Sequence, residues 1–296
     1  MFRSAQANFK TRCGYLLVIT IALAGLFAPL IVPSDSELSP SCIHLAQANL
    51  PPLAGGHILG TDSLGRDVAS LLIWGARTSL LIGLCSAVAA VTIGSLWGSV
   101  SALAGGIVEA IMMRLVDVLL AVPNIVLLLF VAALINDLPF RHFLPNYIID
   151  LLGITSYSNG LLPLLTVIVI ISATTWLEVA RLTSARIKAI LSEEYIQAAV
   201  AQGLDFWQLI IKHLLPNAAN IITVEGSLLV ADAILSEAGL SFLGLGIGPA
   251  TPSWGSMLNS AQQSLLAGNW WSVVAPGVMI TGTVLGIQLV SRKQED

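Results

Sequence analysis

Long apolar runs separated by short polar connections dominate the chain, and this pattern predicts membrane-spanning helices. A helix needs about 20 apolar residues to cross the hydrocarbon core of a bilayer. Six segments are long enough: 14–33, one within 78–108, 111–135, 161–180, 218–243 and 270–290. The pattern therefore predicts an all-α, polytopic membrane protein with about six transmembrane helices.

The composition favours a protein surrounded by lipid. Hydrophobic residue types make up 56 % of the 296 residues and charged types 10 %, whereas a soluble domain carries about 25 % charged residues. The formal net charge of −4 provides no basic field for nucleic acid. We therefore expect membrane lipid, and no nucleic acid, around this chain.

The distribution of basic residues predicts the orientation of the chain. With the N-terminus in the cytoplasm, the inside segments and their edges hold ten of the thirteen Lys and Arg residues: Arg3, Lys10, Arg12, Arg114, Arg181, Arg186, Lys188, Lys212, Arg292 and Lys293. Cytoplasmic loops are enriched in such residues. The predicted layout is a cytoplasmic N-terminus (1–13), a first transmembrane helix (14–33), an extracytoplasmic segment (34–77), a transmembrane domain (78–290) with a cytoplasmic loop at 181–217, and a cytoplasmic C-terminus (291–296).

The first apolar segment has a second interpretation, a cleaved signal peptide, because basic residues precede it. The uncharged stretch from Cys13 to Ser34 is long enough to span a bilayer, and no Ala-x-Ala pattern follows it closely. These features favour an uncleaved span.

Small residues recur at every fourth position of the second span: Ser86, Ala90, Gly94, Gly98 and Ala102. Residues four apart share one helix face, so they form a smooth ridge that lets another helix approach closely in lipid. The ridge predicts close packing, either within this subunit or against a second membrane subunit.

Several signatures of enzymatic sites are missing from the sequence. No Gly-Lys pair is present for a phosphate-binding P-loop, and no two histidines stand four residues apart as zinc ligands on a helix. No G-x-S-x-G nucleophile motif occurs. We expect no catalytic residues, no metal site and no cofactor on this chain, so any ATP-driven work requires another subunit.

The cytoplasmic connection at 192–219 has the pattern of a helix, a turn and a second helix. Glu194 lies in the first helical turn, where acidic residues suit the helix dipole. Gly203 occupies a position typical of a helix C-terminus, and Leu204 and Phe206 follow it. The segment is either a docking element for a partner protein or an amphipathic helix on the bilayer surface.

Five segments together resemble a known family. The segment EYIQAAVAQG (194–203) followed by HLLP (213–216) resembles the "EAA" loop of ABC-importer permeases, and similar matches occur in order at 59–80, 113–127, 237–258 and 270–280. They resemble the C-type permease subunit of peptide-type ABC importers, whose systems carry dipeptides, oligopeptides or nickel. The resemblance covers about 14–290 and implies a type I ABC importer permease (MetI-like) fold in the bacterial cytoplasmic (inner) membrane.

The resemblance also implies partners and a coupling site. A second permease subunit, expected to form a heterodimer with this chain, two ABC ATPase subunits that bind ATP, and an extracytoplasmic substrate-binding protein are expected to complete the importer. Residues carried over as contacts with the ATPase are Glu194, Ala198, Ala199, Gly203, Leu204 and Phe206. Gln197 stands where the family motif has Glu, which removes any salt bridge from that position.

Charged residues near the spans supply further candidates. Glu225 and Asp232 are seven residues apart and share a helix face, so they either line a translocation pathway or bind neighbouring helices. Asp62, Arg66 and Asp67 lie in the extracytoplasmic loop. They either contact the binding protein or an outer gate, or hold a turn.

Other functional classes are less well supported. An ion-driven secondary transporter would favour internal inverted repeats and broken helices, and no clear repeat is visible. A channel subunit shares the apolar pattern but not the five motifs. An intramembrane enzyme is disfavoured by the missing catalytic signatures. The sequence therefore favours a permease subunit that forms half of a translocation pathway for peptides or a related small solute.

Overall fold

A computed structural model describes residues 2–33, 36–137, 161–194, 196–197, 208–248 and 251–295. Its helices are α1 (Phe2–Leu26), α2 (Ala28–Ile31), α3 (Val68–Ala104), α4 (Gly106–Leu120), α5 (Asn124–Asp137), α6 (Leu161–Leu191), α7 (Leu215–Phe242), α8 (Trp254–Leu266) and α9 (Trp271–Glu295). A short 3₁₀ helix (Leu45–Gln47) and a π-helical turn (Leu209–Leu214) complete the regular structure of these residues.

Helices α3, α6, α7 and α9 are each long and apolar enough to cross a membrane, and α4 and α5 together form a fifth, bent span. The apolar part of α1, Thr11–Leu26, is shorter. Helix α1 packs along α9 and α3, and its inclusion agrees with the predicted count of about six. The all-α, polytopic prediction is confirmed.

The ridge of small residues on α3 packs against α6 inside this subunit. A Cβ atom added at Gly94 would lie 2.6 Å from the carbonyl oxygen of Trp176, and one at Gly98 would lie 2.5 Å from that of Ala180. Both distances are shorter than a real Cβ contact, and both neighbours are backbone atoms. Of the two interpretations of the ridge, packing within the subunit is the one observed at these glycines.

The third predicted span is not a continuous helix, because α4 and α5 meet at an angle of 97°. Pro123 has no N–H and cannot donate to the carbonyl of Leu119. The N–H of Val122 donates to that carbonyl at 3.2 Å and closes the end of α4. The predicted span over 111–135 is thus bent near its middle, and the proline there is the physical reason.

The connection at 244–269 is more helical than its glycines and prolines suggested. Helix α8 occupies part of that connection, and Ser253 and Ser256 form a capping box at its start. Helix α3 begins at Val68, ahead of the predicted start at 78. Its 37 residues span about 55 Å at 1.5 Å per residue, which exceeds a hydrocarbon core of about 30 Å. One end of α3 therefore extends beyond the core.

Candidate functional site

Asp62 and Arg66 hold a tight turn in the outer loop and are both buried. The Asp62 Oδ1 atom accepts from the N–H groups of Leu64 and Arg66 at 2.9 Å. Its Oδ2 atom accepts from Arg66 Nε at 2.8 Å and lies 2.8 Å from Arg66 Nη2. Both charged groups are thus bound to each other, so their immediate effect is to shape the loop.

Asp67 joins the outer loop to the start of α3. Its Oδ2 atom accepts from the N–H of Ser70 at 2.8 Å and from the Ser70 hydroxyl at 2.7 Å, which caps the helix. The Oδ1 atom lies 2.9 Å from His57 Nδ1, and the other ring nitrogen of His57 lies 3.2 Å from the Gln47 side-chain oxygen. The carboxylate therefore fixes both the loop and the first turn of α3.

A buried carboxylate, Glu237 on α7, links three helices at the outer side. The hydroxyl of Ser79 on α3 donates to its Oε2 atom at 3.2 Å. The hydroxyls of Ser241 on α7 and Ser253 at the start of α8 each donate to Oε1 at 2.8 Å. The Gly255 N–H also donates to this carboxylate, which thus lies at the positive end of the α8 dipole.

The three serines of this network each also accept a backbone N–H. The donors are Trp254 to Ser79 at 3.1 Å, Ile247 to Ser241 at 3.3 Å and Ser256 to Ser253 at 3.0 Å. With its oxygen receiving an N–H, each hydroxyl has its proton directed at Glu237. The carboxylate is therefore an acceptor for all of its partners, and it fixes α8 and the loop before it against α3 and α7.

The coupling segment is described only at its edges. Glu194 and Gln197 are exposed, and Ile196 between them is fully buried with Ile187, Ile210 and other residues of one apolar cluster. The remaining candidates, Ala198, Ala199, Gly203, Leu204 and Phe206, lie outside the described residues. The buried isoleucine anchors this segment to the end of α6 and leaves Glu194 facing outward.

Asp232 lines a cavity of about 160 Å³ at the bend between α4 and α5. Glu178 on α6 lines the same cavity, opposite Val122 and Pro123 of the bend. Glu225 is half-buried on α7 and does not line this cavity. The structure thus brings Asp232 together with Glu178 and not with Glu225.

Glu178 was missed as a candidate by the sequence analysis. It lies near the end of the predicted span 161–180, which is otherwise free of charge. A single acidic residue in an apolar run is expensive in lipid and is itself a signal of function. The predicted span ended at 180, two residues after Glu178, whereas α6 continues to Leu191 and places Glu178 near the middle of the helix.

The exposed face of α4 combines apolar and charged side chains. Ile107, Ile111 and Val118 are exposed there. Arg114 and Asp117 are also exposed and line the same open groove. Among the described residues these two form no ion pair with each other. Two separate charges are costly against lipid, so this face of the bent span suits contact with protein or water.

The fold and these sites define a class: a polytopic helical permease with polar groups around a bent span. The chain matches, over residues 90–292, the family described as "Binding-protein-dependent transport system inner membrane component". It is 32 % identical over 295 residues to a dipeptide transport system permease protein of Bacillus subtilis, covering 100 % of this chain and 83 % of that protein.

Two further relatives agree. An oligopeptide transport system permease protein of Bacillus subtilis is 33 % identical over 294 residues, with 98 % of this chain and 86 % of that protein covered. A di/tripeptide transport system permease protein of Pseudomonas aeruginosa is 35 % identical over 282 residues, with 94 % and 83 % covered.

The chain belongs to the binding-protein-dependent inner membrane component family, and the predicted resemblance is confirmed. It is a permease subunit of an ABC importer and a multi-pass membrane protein. Permease components of this kind work with a further permease, with ATPase subunits that are separate chains and with a binding protein. The secondary-transporter alternative has no support.

Proposed function

We propose that this permease imports peptides. It pairs with a second, different permease subunit, and the two form the halves of one translocation pathway. Two ATPase subunits bind ATP on the cytoplasmic side, and an extracytoplasmic binding protein delivers the peptide. The observation that carries the substrate class is the similarity, along nearly the whole chain, to three permeases named for di-, tri- or oligopeptide transport.

We further propose that both termini lie in the cytoplasm, which places 181–217 on the side of the ATPases. Residues Glu194, Ala198, Ala199, Gly203, Leu204 and Phe206 form the contact through which ATP binding moves the helices. The exposure of Glu194 beside the buried Ile196 supports this assignment, because a contact site must be accessible while its base remains anchored. The ATPase movement then rocks the spans between outward and inward access.

On the outer side, we propose that Asp62, Arg66 and Asp67 act by shaping the surface that meets the binding protein. Their charged groups are buried: Asp62 and Arg66 bind each other, and Asp67 lies 2.9 Å from His57. All three therefore support that surface from below. The proposed contact is the exposed part of the same loop, which includes Leu53 and Ile58.

The test is copurification of the tagged permease from its own membrane in mild detergent, with uptake of labelled dialanine as a second readout. We expect a second permease and the ATPase to copurify. Glu194→Arg should release the ATPase and abolish uptake. Glu37→Arg is the matched control, because Glu37 is exposed on the outer loop, on the opposite side of the membrane in this topology.

The outcomes separate the hypotheses. Retention of the ATPase and of uptake by Glu194→Arg would contradict the coupling assignment. A permease that purifies alone and moves solute in vesicles without ATP would contradict the importer mechanism. Failure of the complex to transport any dipeptide, with its partners bound, would contradict the substrate class alone.

A further inference from the structure

The cavity at the bend of α4 and α5 is lined by residues of three candidate membrane spans. Glu178 and Asp232 are near the middle of the spans Pro163–Leu191 and Pro216–Phe242. Glu178 is exposed and Asp232 is half-buried. A carboxylate at this depth is expensive against hydrocarbon, so an exposed one must face water or protein. The wall that carries the two acids therefore faces water or protein and not lipid.

Two threonine hydroxyls add acceptor atoms to the cavity, beside the amide of Asn124. Thr174 and Thr175 line it and are almost fully buried. Both hydroxyls donate their protons to the carbonyl of Ile171 at 2.9 Å. Their oxygens therefore remain available as acceptors. Among the described residues that line the cavity, none is basic. The lining suits a cation with several hydrogen-bond donors.

The size of the cavity limits its occupant. Its volume is about 160 Å³, and one water molecule takes a share of roughly 30 Å³ in the liquid. The space accepts a few waters or one ammonium group with its nearest carbon atoms. It can receive one end of a peptide while the rest of the solute lies in the wider pathway.

The broken span fits the same interpretation. In transporters, sites near the bilayer midplane are typically formed where helices are discontinuous. Here the end of α4 and the start of α5 both meet the cavity through Leu120 and Asn124. The two helix ends carry opposite partial charges, which offset each other. The net charge of the site is therefore set by the two carboxylates.

We propose that Glu178 and Asp232 form one anionic site in the translocation pathway, which receives the protonated amino group of the transported peptide. This inference rests on the proposed function and adds to it a residue, Glu178, and a charge preference. The site binds the amino group during passage, after release from the binding protein. It therefore affects the rate of translocation and not the capture of substrate.

The test uses the complete importer in proteoliposomes, with ATP inside and saturating binding protein outside. The variants are Glu178→Gln, Asp232→Asn and the double variant, with Glu178→Asp as the conservative change and Glu109→Gln as the matched control. Uptake of labelled dialanine, its KM, and ATP hydrolysis stimulated by the binding protein are measured. Uptake of alanyl-lysine and alanyl-glutamate is measured in parallel.

We expect the double variant to take up dialanine roughly tenfold more slowly, because it loses one charge-assisted contact with the amino group. The KM should stay unchanged and ATP hydrolysis should remain, which a merely misfolded subunit would not show. The decreases in uptake rate of the two single variants should not add up to that of the double variant, since both acids bind the same amino group. Glu178→Asp should restore most of the rate, and the preference for alanyl-lysine over alanyl-glutamate should disappear in the double variant.

Several results would overturn the site. One is dialanine uptake by the double variant at the unmodified rate. Another is a parallel loss of uptake and ATP hydrolysis in every variant, which would indicate a structural role. A third is loss of Ni²⁺ uptake with dialanine uptake intact, which would assign the acids to a metal cation. If the unmodified importer carries no dipeptide at all, the proposed function fails together with this inference.

Discussion

Glu237→Gln tests whether the buried carboxylate holds the outer helices together. Three serine hydroxyls and one backbone N–H donate to Glu237. A hydrogen bond to a charged group contributes about 1.5–3 kcal/mol, against about 0.5–1.5 kcal/mol for a neutral one. Replacing the carboxylate by an amide weakens each serine contact by about 1 kcal/mol on that scale. It also directs an N–H₂ group at hydroxyls that are themselves donors.

The expected total is a loss of about 3 kcal/mol in the free energy of unfolding, from three weakened serine contacts. For a chain of this size that corresponds to a melting temperature lowered by roughly 6–12 °C. The measurement is thermal unfolding of the purified permease in mild detergent. Protease sensitivity of the connection before α8 serves as a local readout, because this connection is held by Ser241 and Ser253.

The control is the same substitution at a less buried site, Glu109→Gln. Glu109 pairs with Lys188 between α4 and α6, and both side chains are partly exposed, so its loss should cost less than about 1 kcal/mol. The reasoning would be refuted if the Glu237→Gln protein had the same melting temperature as the unmodified protein and were no more sensitive to protease. It would mean that the amide satisfies the serines as well as the carboxylate does.

Three further changes are expected to act through packing and capping. Gly98→Ala should lower the melting temperature, because the added Cβ atom would meet the backbone of α6. Gly277→Ala is the control and should leave the melting temperature unchanged, because no atom lies within 4 Å of a Cβ atom placed there. Equal effects of the two changes would contradict the close-packing argument. Asp67→Ala should cost about 1–2 kcal/mol by removing the α3 cap, measured by thermal unfolding, and no loss would show that the cap is dispensable. Trp254→Phe should cost about 0.5–1.5 kcal/mol, since it removes the buried hydrogen bond from the indole N–H to the carbonyl of Leu72 at 3.2 Å; an unchanged melting temperature would contradict this.

Much of the architecture was predictable because its signals are local. The length of an apolar run and the position of basic residues act on each segment separately, so the class of the protein and the existence of its spans follow from the sequence. The caps of α3 at Asp67 and of α8 at Ser253 involve neighbours within a few residues. The bend at Pro123 also has a local signal, the proline itself. The predicted span over 111–135 was based on the length of the apolar run and did not take that proline into account.

The candidate site was predicted in part. Asp232 lies on the wall of a cavity and Glu225 lies elsewhere on α7, and the pathway role of both stays a prediction. The coupling residues from Ala198 to Phe206 stay a prediction, because they lie outside the described residues. Glu178 had a local signal, its charge in an apolar run, but the predicted end of that span hid it.

The sequence by itself determined the class of this protein, its approximate spans and its family, because hydropathy, charge and motif order are properties of the linear chain. Only the tertiary structure decided which polar groups meet. Glu178 and Asp232, on different helices, line one cavity, and Ser79 donates to Glu237 across 158 positions of sequence. Such pairs depend on how helices cross and how deep each residue lies. Those quantities arise from the close packing at Gly94 and Gly98 and from the direction of the bend at Pro123, which no single segment contains.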